Sequence, residues 1–62
     1  MWVVFDDIGN EWNFDDKDSM IEFLDNKNSE GLVNDNWWVE YDYFDRSKAN
    51  DSYPVTDFVF IY

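Results

Sequence analysis

The side chains in this sequence that can do chemistry are carboxylates. Fifteen Asp or Glu stand against four Lys or Arg, for a net charge of −11. They do not gather in a tail, which would read as a solvated, disordered arm. Asp6, Asp7, Glu11, Asp15, Asp16, Asp18, Asp25, Asp35, Glu40, Asp42, Asp45, Asp51 and Asp57 run the length of the chain. Within a strand, neighbours on one face such as Glu40 and Asp42 stand roughly 6.5 Å apart, at about 3.3 Å per residue. Paired carboxylates at about 5 to 9.5 Å serve glycoside hydrolysis, but they need a deep substrate cleft that a chain of this size hardly encloses. Calcium needs the D-x-[DN]-x-[DN]-G spacing, which Asp16-Lys17-Asp18 and Asp35-Asn36 lack. Acids held at fixed spacings on a rigid body have a third use. Duplex DNA carries about one negative charge per 1.7 Å of axis, and a compact acidic body can enter a cleft built for phosphates.

Fourteen aromatic residues accompany the acids: four Trp, four Tyr and six Phe. A chain this charged and poor in apolar residues would stay disordered, and the rings are what allow a core. At 62 residues the chain forms one domain, which buries only about 60% of the surface exposed when unfolded. With no Cys and no His, neither disulfides nor a Cys/His zinc site can staple it, and no metal or other cofactor is implied. Aromatic packing remains, and self-association into a homodimer is one expected way to supplement it. The same absences, together with the lack of a Gly-rich phosphate loop, leave no nucleophile, no general base near neutral pH and no phosphate cradle. The expectation is a protein that is not an enzyme.

The aromatics do not imply direct nucleic-acid binding, because single-strand binders set such rings in a basic groove. The opening Met1 to Asp7 reads as neither a signal peptide nor an anchor, and no apolar run reaches the roughly 18 residues of a membrane span. Anionic lipid would repel this surface. Cytoplasm is the default compartment, consistent with cysteine-free composition. Asn50-Asp51-Ser52 fits a glycosylation sequon but carries little weight without a secretion signal.

The elements that must position these residues follow from their patterning. Gly9-Asn10 between two apolar-containing runs predicts a two-residue hairpin turn. Phe5 would then pair with Phe14 and Asp7 with Trp12, placing Val3, Phe5, Trp12 and Phe14 on one face. The other face would mix Trp2, Val4 and Ile8 with Asp6, Glu11, Asn13 and Asp15. Ser19 with Glu22 fits a capping box, which predicts a helix carrying Met20, Ile21, Phe23 and Leu24 inward, with Gly31 just past its end. Trp37 to Phe44 alternates as a strand, with Trp37, Val39, Tyr41 and Tyr43 on one face and Trp38, Glu40, Asp42 and Phe44 on the other. Asp45 to Pro54 reads as a loop leading into a final strand from Val55 to Tyr62. The fold class is α+β: a small antiparallel sheet of three or four strands in ββαββ order with one helix packed on it.

So small a sheet cannot bury both faces, and one residue of a pair such as Trp37 and Trp38 must lie outside. The predicted partner-binding set is Asp6, Glu11, Asp15, Glu40, Asp42 and Asp57, with Trp38 and Phe44 as aromatic anchors. An acidic surface also keeps small proteins soluble, but a net charge of magnitude about 2 to 8 is usually enough for that, and more destabilises the fold by self-repulsion.

In size, charge and acid-plus-aromatic composition the chain resembles the small acidic inhibitors with which phages disarm host DNA enzymes: uracil-DNA glycosylase inhibitors, anti-restriction proteins and anti-CRISPR proteins. The resemblance is one of kind and carries no residue across. It implies a DNA mimic that occludes the DNA-binding cleft of a basic partner without catalysis, often as a dimer. A uracil-DNA glycosylase or another base-flipping enzyme is the first expected target, and a restriction or Cas nuclease the second. The rival expectations are an immunity or antitoxin-type protein that neutralises a basic nuclease, and an acidic adaptor that recruits rather than blocks.

Overall fold

The structure is a computed structural model that describes residues 1–61. Its elements follow in the order β1 (Trp2–Phe5), β2 (Glu11–Phe14), α1 (Lys17–Ser29), β3 (Trp38–Tyr41) and β4 (Asp51–Pro54), with a 3₁₀ turn at Val55–Asp57. The four strands make one antiparallel sheet in the order β2-β1-β3-β4. Because β1 is antiparallel to both neighbours, β2 and β3 run parallel, and α1 carries the chain from one to the other across a single face. The fold is a small α+β domain, as the patterning predicted.

The hairpin differs from its expected form. The turn is a five-residue loop, Asp6 to Asn10, closed by Asp6 N–H donating to the Asn10 carbonyl at 3.1 Å. The Asp6 carboxylate organises it, accepting from the Ile8 and Asn10 amides at 3.0 and 2.8 Å and from Asn10 Nδ2 at 2.8 Å. Gly9 supplies the positive φ, at 92°. The register is therefore Trp2 with Phe14, Val4 with Trp12 and Phe5 with Glu11, three residues from the expected one. An odd shift exchanges the faces of one strand relative to its partner. Trp2 and Val4 join Trp12 and Phe14 toward the helix, and Val3 and Phe5 go to the opposite face.

The helix starts earlier than the Ser19 box predicts. Asp16 is the N-cap, its Oδ1 accepting from the Ser19 amide at 2.6 Å. This start places Met20, Leu24 and Asn28 on one inward line at spacings of four. Met20 and Leu24 are completely buried, each worth about 1.5 to 3 kcal/mol of apolar transfer. At the other end Gly31 takes φ 75°, its amide donating to the Asn28 carbonyl at 2.9 Å while Leu32 N–H reaches Lys27 O at 3.1 Å. That pair of bonds is a Schellman motif, which satisfies the last carbonyls and turns the chain back toward the sheet.

β3 keeps the predicted alternation but ends at Tyr41, so Phe44 is not on it. The expected final strand is also displaced: the last strand is Asp51–Pro54, at the sheet edge where a Pro is tolerated. A strand from Val55 onward would put Asp57 on the same face as Val55 and Val59. The 3₁₀ turn instead buries Val55 and Val59, four residues apart, and leaves Asp57 in solvent. Asn28, itself buried, donates from Nδ2 to the Phe60 carbonyl and ties this last segment to the helix. The predicted end of that strand at Tyr62 lies outside the described residues. The core is Val4, Met20, Leu24, Val33, Trp37, Val39, Val55 and Val59, ringed by Trp2, Trp12, Phe14, Phe23, Tyr53 and Phe58.

Candidate protein-binding surface

The helix covers one face of the sheet. On the other, the registers set two rows across all four strands. Glu11, Phe5, Trp38 and Pro54 form one, and Asn13, Val3, Glu40 and Ser52 the other. The first row is an apolar stripe with a carboxylate at its β2 end. Phe5 and Trp38 stack with ring centroids 4.8 Å apart and planes within 10°, an arrangement worth about 0.5 to 1.5 kcal/mol beyond area burial. With one neighbour covered this way, Trp38 still keeps 38% of its surface exposed, whereas Trp37 keeps 5%. Adjacent tryptophans thus divide between surface and core, as strand alternation requires.

Glu40 is fixed beside that stripe. Its Oε2 accepts from Trp38 Nε1 at 2.9 Å and its Oε1 from Asn50 Nδ2 at 3.2 Å. These two bonds orient the carboxylate while leaving each oxygen a second acceptor position.

Of the eight residues that the sequence pointed to, the structure brings Glu11, Trp38 and Glu40 onto this face. The others lie elsewhere. Asp15 is exposed at the β2–α1 junction, Asp57 is exposed in the 3₁₀ turn, and Asp42 follows β3 with its amide bonded to Met1 O at 2.8 Å. Phe44 projects from the loop between β3 and β4, 97% exposed and apart from the strand face expected for it. Asp6 requires a correction: it is 5% exposed and spends both oxygens on its own loop. Burial works to raise its pKa, but the hydrogen bonds from the Asn10 side chain and from the amides of Asn10, Ile8 and Gly9 outweigh this and hold the carboxyl below the usual 3.8.

Two features were not singled out in the sequence. The first is a cleft of about 420 Å³ between the Asp6–Asn10 loop and the chain after α1. Trp12 and Trp37 line it, stacked at 5.6 Å and 16°, and Ile8 and Leu32 stand exposed at its margin, 79% and 51%. Asn34 Nδ2 donates to Asp7 Oδ2 at 3.0 Å and joins the two walls. The second is a helical stripe, Asp18, Glu22 and Asp25, at spacings of four and three on the exposed side of α1. That stripe is readable once the helix begins at Lys17; the cleft depends on two loops meeting and has no local signal.

The remaining electrostatics sharpen the contrast. Asp6, Asp7, Asp16, Glu40, Asp45 and Asp51 accept side-chain hydrogen bonds within the chain. The other nine acids are all exposed. Three of the four cations lie over rings: Lys17 over Phe58, Lys27 over Phe23 and Lys48 over Tyr43, at 5.8, 5.7 and 5.1 Å from the centroids. Ser47 hydrogen bonds, from its hydroxyl first and its amide second, hold the Asp45 carboxyl below 3.8. Tyr43 donates to Asp51, and that bond, with burial and the Asp51 charge, pushes its hydroxyl up to about 12. Among the described residues no group of three or more acids converges as a metal site, and no helix is long and apolar enough to cross a membrane.

The fold and surface define a class: a small α+β domain with an acidic exterior, one open sheet face and an aromatic-floored cleft. No protein-family model, curated protein or solved structure matches the chain.

Proposed function

We propose that this protein is a non-catalytic inhibitor that occupies the DNA-binding cleft of a basic DNA-processing enzyme by presenting carboxylates where phosphates would lie. The observation that carries this reading is the exposure of thirteen of the fifteen acids on a folded scaffold whose lysines are turned onto its own rings. The α1 stripe gives it a length scale. Asp18 to Asp25 spans about 10 Å at 1.5 Å per residue, close to the axial rise of three phosphate-to-phosphate steps at ~3.4 Å each along one DNA strand.

A base-flipping enzyme such as a uracil-DNA glycosylase is the first target class. Such enzymes push an apolar side chain into the duplex while basic groups hold the phosphates. The cleft between Ile8, Leu32, Trp12 and Trp37, with Asp7 at its wall, has the lining to take that side chain. Restriction and Cas nucleases follow, since they share the basic cleft without the wedge. A cytoplasmic site of action, in an infected cell if the protein is phage-encoded, fits this activity.

The Phe5–Trp38 stack beside an oriented Glu40 favours a second reading, an immunity-type protein matched to one enzyme's surface beside its active site. An adaptor that recruits a basic partner would leave that partner active. A pull-down from bacterial lysate on the immobilised protein, eluted first with duplex DNA and then with salt, separates the readings. Release of a DNA-repair or defence enzyme by DNA supports mimicry. Release by salt alone supports the immunity or adaptor reading and counts against occlusion of the DNA site.

A further inference from the structure

We infer that the open sheet face is an arginine-reading surface, docking a basic protein segment whose guanidinium lies on the exposed part of the Trp38 indole and pairs with Glu40. This deepens, and rests on, the reading of the protein as an inhibitor of a basic partner. The face is the side of the sheet away from the helix, and its apolar stripe leaves Trp38 and Pro54 exposed beside a half-buried Phe5. A second copy of the chain is a poor occupant for it. It would set Glu11 and Glu40 against another acidic face, because the two rows contain no Lys or Arg.

Charge complementarity therefore selects a cationic occupant, and the geometry selects which cation. Guanidinium is planar, weakly hydrated and able to stack on an aromatic face while donating in parallel to a carboxylate; an ammonium is a compact, strongly hydrated point charge. Phe5 holds the Trp38 ring by stacking, and the Trp38 Nε1 and Asn50 Nδ2 donors hold Glu40 next to it. Stacking surface and carboxylate are thus both in place before binding, which spares the cost of ordering them on association. Glu11, at the β2 end of the same row, offers a second carboxylate to a neighbouring basic side chain.

The test uses isotope-labelled full-length protein and two synthetic peptides of equal length and charge, one carrying arginines and the other lysines at the same positions, at physiological salt. The arginine peptide is expected to bind about fivefold tighter, with the Trp38 indole N–H resonance moving most. Glu40→Gln, which keeps the size of the side chain, and Trp38→Leu should each abolish that preference while leaving lysine-peptide affinity within about twofold. Equal affinity for the two peptides overturns the inference, and so do shifts centred on α1 or the cleft, or a preference that survives Glu40→Gln. Elution by duplex DNA is read independently of the peptides. A protein that DNA displaces but that does not prefer arginine keeps the inhibitor reading and loses this one.

Discussion

Asn34 donates its side-chain amide to Asp7 at 3.0 Å, joining the β1–β2 loop to the chain between α1 and β3 across 27 positions of sequence. Neither loop belongs to the sheet, so the bond sets the cleft rather than the fold. Asn34→Asp replaces a donor with a second negative charge facing Asp7. Amide hydrogen exchange is expected to quicken in Ile8–Asn10 and Leu32–Asn36, with rates in β1 and β3 unchanged. Uniform quickening over the whole chain would show instead that the loops support the global fold.

Acid should unfold the protein through specific carboxylates. The folded pKa values of Asp6, Asp16 and Asp45 lie below 3.8, with hydrogen bonds outweighing burial in each case. A depressed folded value contributes stability above the unfolded pKa and loses it as pH falls through the folded one. Circular dichroism should therefore show stability declining from about pH 3.8 downward, with a shallower acid limb in Asp6→Asn. Asp6→Asn should also be less stable than Glu11→Gln at pH 7, since only the first disturbs a carboxylate used inside the fold.

The opposite end of the pH range reports on Tyr43. Its value of about 12, against an ordinary 10.0, means that the protonated hydroxyl bonded to Asp51 is the folded form. The associated stability is complete below pH 10.0 and is lost as pH rises through 12. Ultraviolet titration should find Tyr43 ionising late, with Tyr53 also raised by burial and by Asp51, and Asp51→Asn should bring Tyr43 back toward the ordinary value. A Tyr43 hydroxyl that still ionises late in Asp51→Asn would assign its shift to burial.

Salt should raise the melting temperature of the isolated protein, because self-repulsion among exposed acids is screened beyond a Debye length of about 8 Å at physiological ionic strength. The same screening should slow association with a basic partner, leaving dissociation less affected. Stopped-flow binding across a salt series measures both, and rates flat with salt would count against electrostatic capture.

Core and surface side chains should respond very differently to truncation. Leu24→Ala removes a completely buried side chain and is expected to cost about 2 to 5 kcal/mol, a large share of what a domain this small has. Phe44→Ala should stay within about 0.5 kcal/mol, since the ring is 97% exposed. Chemical denaturation distinguishes the two; a costly Phe44→Ala would mean that the loop packs in solution.

Much of the architecture is legible because it rests on local physics. Alternation through Trp37, Trp38 and Val39 assigns their faces, and Gly31 marks the helix end because only a residue tolerant of positive φ closes a Schellman motif. The hairpin register was not legible. Gly9-Asn10 satisfies a two-residue turn on paper, while the real loop is decided by how many donors the Asp6 carboxylate gathers, and three residues of register follow from that. The end of the chain misleads for a similar reason: Val55 and Val59 fit a strand until Asp57 between them must be placed. Among the candidate residues, Glu11, Trp38 and Glu40 come together on one sheet face because each sits on a strand. Asp42 and Phe44 were displaced once β3 stopped at Tyr41, and the cleft needed contacts between distant loops.

The placement of the lysines has a practical side. Lys17, Lys27 and Lys48 lie over Phe58, Phe23 and Tyr43, and none stands in the two rows of the open sheet face. Amine-reactive dyes and crosslinkers that couple through these lysines will leave the side chains of the Phe5–Trp38 row unmodified. Carbodiimide coupling through carboxylates would do the reverse, consuming the acidic groups on which the proposed recognition rests.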